Sequence, residues 1–419
     1  MNRPTSPHEA GVLAGTTICY VSNADFSGWT RTYRQAISLA EAGAHVVFVG
    51  WDHLMPRALT DSPYEVVTVP GPKLPIYYAS TSRSDAIRYL LNNTVCRFAH
   101  GAWNSALETW RYRSARRRFI NAIRHTGADF VQAVDLPPLS EASEAARRMG
   151  ARLIYDSHEY WAGFLKNPVW HAAAGWAEQL LATEGRVITK ADLVLAVSDP
   201  MGDRISARYG ITHPLTILNS PIARVKEVLP TSSPVRLVFH GGLSTDRNID
   251  GLIRAMAHLS GRATLDVHGF NRTTSRGELV ELIEELGLTG VVRLHGPFDY
   301  WNVIELLREY DVGVMAAKIS EENFAVTLPN KVFDYMCAGL AMAMYDSVGV
   351  RSILDVVPYG IYLDSTSPET IARDLEPLIN DPARIDRLKA AALKASPEYW
   401  WPAQGRRLVE EIARLRASD

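Results

Sequence analysis

The chain has 419 residues, 47% of them hydrophobic and 21% charged. That length predicts two or three domains with sizeable cores and excludes a disordered or low-complexity protein. A formal net charge of −2 gives no whole-molecule attraction to nucleic acid or anionic membrane, so any anionic ligand must be held by local groups.

In chain order, short β-type runs alternate with helical stretches. Thr16–Val21 reads as a strand, Ser22–Thr30 as a polar loop, and Arg31–Ala42 as a helix stopped by Gly43. His45–Val49, Glu65–Val69, Phe130–Val134, Arg152–Tyr155, Leu193–Val197 and Leu215–Leu218 repeat the strand pattern. Ala223–Pro234, with two prolines and polar filler, reads as a linker. The rhythm then restarts. Strands are expected at Arg236–His240, Thr264–His268, Val291–Leu294, Val312–Met315, Ala341–Met344 and Ile361–Leu363. Helices are expected at Ile249–Leu259, Glu278–Leu286, Trp301–Glu309 and Lys331–Ala338. Apolar runs separated by helices predict βαβ units with parallel sheets. In such sheets ligands bind beyond the carboxyl ends of strands, and two such units predict a cleft between them.

Cys19, Cys96 and Cys337 are too few and too far apart for a disulfide framework or a zinc site. The sequence has no secretory leader pattern and no membrane-length apolar run, which makes a cytoplasmic location the expectation. Several common motifs are missing: the phosphate-binding P-loop, the dinucleotide Gly-x-Gly-x-x-Gly and the Gly-x-Ser-x-Gly elbow. No Asp-x-Asp occurs, which weakens any reading that needs a carboxylate-held Mg²⁺ or Mn²⁺.

Four segments carry candidate chemistry. Gly241-Gly242-Leu243-Ser244-Thr245-Asp246-Arg247-Asn248 is read as a turn between strand and helix. Its glycines allow close backbone approach and Arg247 supplies a fork of donors for phosphate, although a flexible turn with a surface arginine fits too. In Leu328–Gly339, Pro329 and Asn330 suit a helix start, and Lys331 falls in the first turn, where the helix dipole disfavours a cation unless an anion shares the site. Asp334, three residues on, is placed to accept hydrogen bonds from two sugar hydroxyls; a Lys–Asp surface pair is the plainer alternative. In Tyr155-Asp156-Ser157-His158-Glu159, His158 follows a strand, with Asp156 or Glu159 able to orient it; a structural histidine is the alternative. Arg111, Arg113, Arg116, Arg117, Arg118 and Arg124 lie among Trp103, Trp110 and Phe119. They suit an anionic lipid surface, but the arginines surround the helix instead of forming one stripe, which fits a solvated helix better.

These segments, with His295-Gly296-Pro297, Tyr310-Asp311-Val312-Gly313-Val314, the Val197-Ser198 to Leu218-Asn219 stretch and the terminal Tyr399-Trp400-Trp401, occur in an order that resembles the retaining, nucleotide-sugar-dependent glycosyltransferases of the GT-B fold, especially glycosyltransferase family four. The resemblance implies two Rossmann-like α/β domains facing across a cleft: an acceptor-side domain over 1–222, onto which 396–419 packs back, and a donor-binding domain over 235–395. It places Asp334 at the ribose and Arg247, Gly241 and Gly242 at the diphosphate. Asn330, Lys331 and Glu322 fall in segments flanking the donor. Asp135 and His158 belong to first-domain loops facing acceptor and donor sugar. The pattern departs in four places. Val326 stands where the first motif glutamate would fall, with Glu321 and Glu322 nearby; Asp334 replaces glutamate, Gly242 replaces arginine and Asn248 replaces lysine. The implied activity is hexosyl transfer from a nucleoside-diphosphate sugar to a hydroxyl acceptor, without cofactor or metal, by electrostatic stabilisation from Arg247 and Lys331. A nucleotide-sugar 2-epimerase and a non-catalytic nucleotide-sugar-binding partner are the alternatives. Nucleic acid is not an expected partner, peripheral contact with the inner membrane surface is compatible with the sequence, and the oligomeric state is left open.

Overall fold

The structure, a computed structural model, describes residues 11–22, 30–54, 64–71, 102–165, 174–259, 261–271, 274–319 and 321–418, with backbone alone at 102–112, 174–177 and 271. The chain forms two compact units. One comprises residues 1–197, 201–217 and 405–419, the other 198–200 and 218–404.

The first unit is a parallel sheet of β1 (Thr17–Val21), β2 (His45–Trp51), β3 (Glu65–Val69), β4 (Phe130–Val134), β5 (Arg152–Asp156), β6 (Leu193–Ala196) and β7 (Leu215–Thr216), in the order β3-β2-β1-β4-β5-β6-β7. Order reverses at β1, whose neighbours are β2 and β4. β1, β4 and β5 are mostly apolar and are buried along nearly their whole length, which is why they read as strand-like hydrophobic runs despite Gln132 and Asp156.

The second unit repeats the plan with β8 (Val235–Leu243), β9 (Ala263–Asn271), β10 (Val292–His295), β11 (Val312–Met315), β12 (Ala341–Tyr345) and β13 (Gly360–Leu363), in the order β10-β9-β8-β11-β12-β13. All its pairings are parallel, and order reverses between β8 and β11. The helix Lys331–Cys337 is held on this sheet by Tyr335, whose hydroxyl donates to the Val314 carbonyl at 3.2 Å. Gly313 makes this possible, since any side chain there would run into the Tyr335 ring.

Two expectations change. Gly241 and Gly242 are not a turn but the end of β8, paired with Gly269 and Phe270 of β9. The stretch after residue 222 is not a free linker: Val225 is buried in the second core and its N–H donates to the Cys337 carbonyl at 2.8 Å.

Candidate functional site

In the second unit, β8 ends in His240-Gly241-Gly242, and the Lys331 helix brings its first turn to that end. Gly241 has φ 123°, a conformation that favours glycine. A methyl placed there would lie 2.9 Å from Lys331 Nζ. The missing side chain therefore lets the ammonium sit over bare backbone, 5.1 Å from the centre of the Phe239 ring.

Asp334 follows one turn later with no exposed surface. The Tyr300 hydroxyl donates toward both of its oxygens, at 3.1 Å and 3.3 Å. His240 Nε2 lies 3.5 Å from Oδ2. Burial, reinforced by the Lys331 charge, pushes the His240 pKa well below its ordinary 6.5, so this contact joins a neutral imidazole to the carboxyl group. The surface Lys–Asp pair is thus replaced by a buried carboxyl group reached through Tyr300.

Asn330 does not cap this helix. Its own backbone is helical, and its side-chain oxygen accepts from Asn219 Nδ2 at 2.8 Å. Arg247 sits in the short turn Thr245–Arg247, with its guanidinium 5.2 Å from the Phe324 ring centre and 3.3 Å from Asp246 Oδ2. Asn248 is buried in the left-handed region at φ 54° and donates to the Ser365 carbonyl at 3.3 Å. Glu322 opens the helix Glu322–Val326 and is half-buried, while Val326 is buried.

Strand register also assembles Asp266, His268 and His295, the one group among the described residues whose ligand atoms lie close enough to hold a metal ion, within 4.8 Å of one another. His268 and His295 face each other across β9 and β10 with stacked rings 4.2 Å apart. Burial, then the neighbouring His295 charge, lowers the His268 pKa to about 4, and His268 Nε2 meets the Tyr310 hydroxyl at 2.8 Å. Both Asp266 oxygens are already taken by Arg293, at 3.0 Å and 2.6 Å, with His295 also on Oδ1. The trio is therefore internally neutralised.

In the first unit, Asp135 and His158 do come together. Asp135 ends β4 in the left-handed region, at φ 67°, an unusual conformation for a non-glycine residue. Its Oδ1 accepts from Trp161 Nε1 at 2.6 Å and from the His158 N–H at 3.3 Å. Burial raises the Asp135 pKa, opposed by the His158 charge and by the Trp161 donor. His158 Nε2 lies 3.0 Å from Asp156 Oδ2. Asp156 is fully buried and tied to Arg31 Nη2 at 2.8 Å and Gln35 Nε2 at 2.8 Å. Burial opposes its ionisation, but Arg31 and then His158 outweigh this and hold the carboxyl far below the carboxylate range. Asp156, not Glu159, contacts the His158 ring nitrogen.

Arg116 of the basic helix is tied to Glu144 at 3.0 Å and Glu141 at 3.2 Å, and Phe119 is buried against Trp51 at 4.3 Å. The side chains of Trp103, Trp110 and Arg111 lie outside the described residues, as do Cys96 and most of the Ser22–Thr30 loop. No helix among the described residues is long and apolar enough to cross a membrane. Sequence reasoning passed over His240, Tyr300, Arg31 and the Asp266 trio. Tyr300 alone left a local signal, directly after the Gly296–Asp299 loop that follows β10.

The "Glycosyl transferase 4-like domain" family matches residues 28–218, and "Glycosyl transferases group 1" matches 222–395. A D-inositol 3-phosphate glycosyltransferase of Catenulispora acidiphila is 25% identical over 289 residues, 63% of this chain and 67% of that protein. The corresponding protein of Thermobispora bispora is 27% identical over 132 residues, 32% of this chain and 29% of its own length, so that match spans less than a third of the relative. Among solved structures, sucrose-phosphate synthase of Thermosynechococcus elongatus superposes with a TM-score of 0.70 at 14% identity, covering 96% of this chain and 100% of that one. Anabaena HepE in complex with UDP-glucose gives 0.67 at 14% identity, covering 95% and 99%. With two parallel Rossmann-like sheets and family matches spanning nearly its whole length, the chain belongs to the group 1 glycosyl transferases of the GT-B fold.

Proposed function

We propose that the chain moves a hexosyl unit from a nucleoside-diphosphate sugar to a hydroxyl acceptor, with retention at the anomeric carbon. The observation that carries this reading is the fully buried Asp334 one helical turn from a lysine lying over the side-chain-free backbone of Gly241. A carboxylate that takes two hydroxyl hydrogen bonds suits a ribose, and an ammonium over accessible backbone suits the adjoining diphosphate. Complexes of the similarly folded HepE with UDP and UDP-glucose support a nucleotide-sugar donor, and the D-inositol 3-phosphate glycosyltransferase relatives support a hydroxyl acceptor.

In this reading Lys331 and Arg247 stabilise the charge that grows on the leaving diphosphate. The departing phosphate oxygen removes the acceptor proton on the same face of the sugar, so no protein nucleophile is needed. Asp135 and Asp156 hold His158 from its backbone and ring sides, and this reading assigns the hydrogen-bonding group so fixed to the reacting sugar. No cofactor takes part. Peripheral membrane contact rests on the exposed Arg113, Arg117, Arg118 and Arg124.

The test is a thermal-shift panel with UDP, GDP and ADP, followed by transfer from the matching sugar nucleotide and NMR assignment of the product anomer. One nucleotide should stabilise the chain, in proportion to RT ln(1 + [L]/Kd). Asp334→Asn should weaken its binding about tenfold, consistent with hydrogen bonds to a charged group of roughly 1.5–3 kcal/mol. His158→Ala should lower kcat and leave that affinity unchanged. Unaltered affinity in Asp334→Asn removes the ribose role, and nucleotide binding with no transfer to any polyol or glycan acceptor removes the transferase reading.

A further inference from the structure

Asp334 has no exposed surface, and the phenol of Tyr300 lies across its carboxylate fork, 3.1 Å from one oxygen and 3.3 Å from the other, with His240 Nε2 3.5 Å from Oδ2. We infer that Tyr300 stands where a ribose diol would stand: nucleoside-diphosphate binding displaces its hydroxyl from Asp334, and Tyr300 thereby sets donor affinity. This rests on reading Asp334 as the ribose anchor.

The two partners differ in how freely they can move. Asp334 belongs to a helix whose flanking residues Val332, Phe333 and Tyr335 are all fully buried, with Tyr335 bonded to the strand beneath. Tyr300 is half-buried and opens the short turn Tyr300–Asn302. That turn is held without the phenol, because Asp299 accepts from the Trp301 N–H at 3.0 Å and from Asn302 Nδ2 at 2.9 Å. Rotation of the Tyr300 side chain leaves the turn intact. A ligand hydroxyl can reach a carboxylate with no exposed surface only when something moves aside, and the half-buried phenol lies across it.

The exchange is chemically even-handed. A phenol and a sugar hydroxyl are both neutral donors to the same charged acceptor. One phenolic proton is shared across two oxygens, whereas a cis-diol gives one proton to each. The diol therefore displaces the phenol, but at the cost of one charge-assisted hydrogen bond already made. Removing only the phenolic oxygen removes that cost and keeps the ring packing.

The experiment is calorimetric titration of the full chain, wild type and Tyr300→Phe, with UDP, GDP and ADP and with the 2′,3′-dideoxy form of each. Tyr300→Phe should bind the preferred ribonucleotide about five- to tenfold more tightly and the dideoxy form no more tightly than wild type does. Equal or weaker ribonucleotide binding overturns the inference, and so does an equal gain for the dideoxy form, which would mean that the ring and not its hydroxyl is in the way. Tyr300→Leu, a second variant lacking the hydroxyl, should move ribonucleotide affinity the same way. Asp334→Asn separates the two levels. If it binds like wild type, the anchor reading itself fails. If it loses affinity while Tyr300→Phe gains none, only the displacement fails.

Discussion

Gly241 is where a single atom decides most. Its φ of 123° is costly for any residue with a side chain, and the position of a Cβ is already contested by Lys331 Nζ at 2.9 Å. The ammonium ends a flexible chain and can yield, whereas the backbone cannot. Gly241→Ala should therefore fold with reduced stability, by roughly 1–3 kcal/mol of backbone strain. It should also lose nucleotide affinity, because Lys331 is pushed off the backbone it covers. Thermal melting and the same nucleotide titration check both effects; a variant with wild-type melting and affinity would detach Gly241 from the site. The neighbouring Gly269 is constrained differently, since a side chain there would meet the Gly241 carbonyl itself. The paired glycines were visible in the sequence as a place of close approach. What they approach was not, since their positions depend on the β8–β9 register.

At the scale of elements, the strands were legible for a physical reason. Parallel strands buried on both faces read as unbroken apolar runs, as in Val312–Met315. Their ends were less legible, because glycine weakens a strand by propensity while in-register pairing carries β8 through Gly241 and Gly242. Lys331 and Asp334 could be paired by helical spacing, but His240 reaches Asp334 from a strand more than ninety residues away, and Asp266, His268 and His295 meet only through register. A cluster of the same kind joins three elements of the first unit. Glu184, on the helix Ala174–Ile188, accepts from Tyr155 of β5 at 2.8 Å and from Tyr209 of the helix Asp199–Tyr209 at 2.6 Å. Burial raises the Glu184 pKa from 4.5 to about 7 despite those two donors. Between these values the folded carboxyl keeps a proton that the unfolded chain has released, so its contribution to stability falls as pH rises through that window and levels off above it. The full span is roughly 3 kcal/mol. Glu184→Gln has no such proton, so its melting temperature should fall less than that of wild type between pH 5 and pH 8. Parallel curves would show that Glu184 titrates at its ordinary value.

Across the whole molecule, 44 basic residues nearly balance 46 acidic ones, so no general positive field assists an anionic donor. On the proposed reaction the leaving diphosphate gains about one negative charge, and something local must meet it. The sequence has no Asp-x-Asp pair to hold a divalent ion there. The Asp266, His268 and His295 trio is a different kind of site, with both carboxylate oxygens already engaged by Arg293. Lys331 lies over Gly241 without a side chain between them, and Arg247 is held in the turn just beyond β8 by Asp246 and Phe324. These two cations are assigned the work, which makes two linked predictions. Transfer should survive excess EDTA within about twofold, because the charge is met by side chains that a chelator cannot remove. Lys331→Met should lower kcat by about a hundredfold or more, the scale of losing one donor aimed at developing charge, while the variant keeps its melting temperature. Loss of turnover in EDTA that Mg²⁺ restores, together with near-normal turnover in Lys331→Met, would move charge stabilisation from these residues to a bound ion. Chelator resistance with a crippled Lys331→Met places it on the lysine.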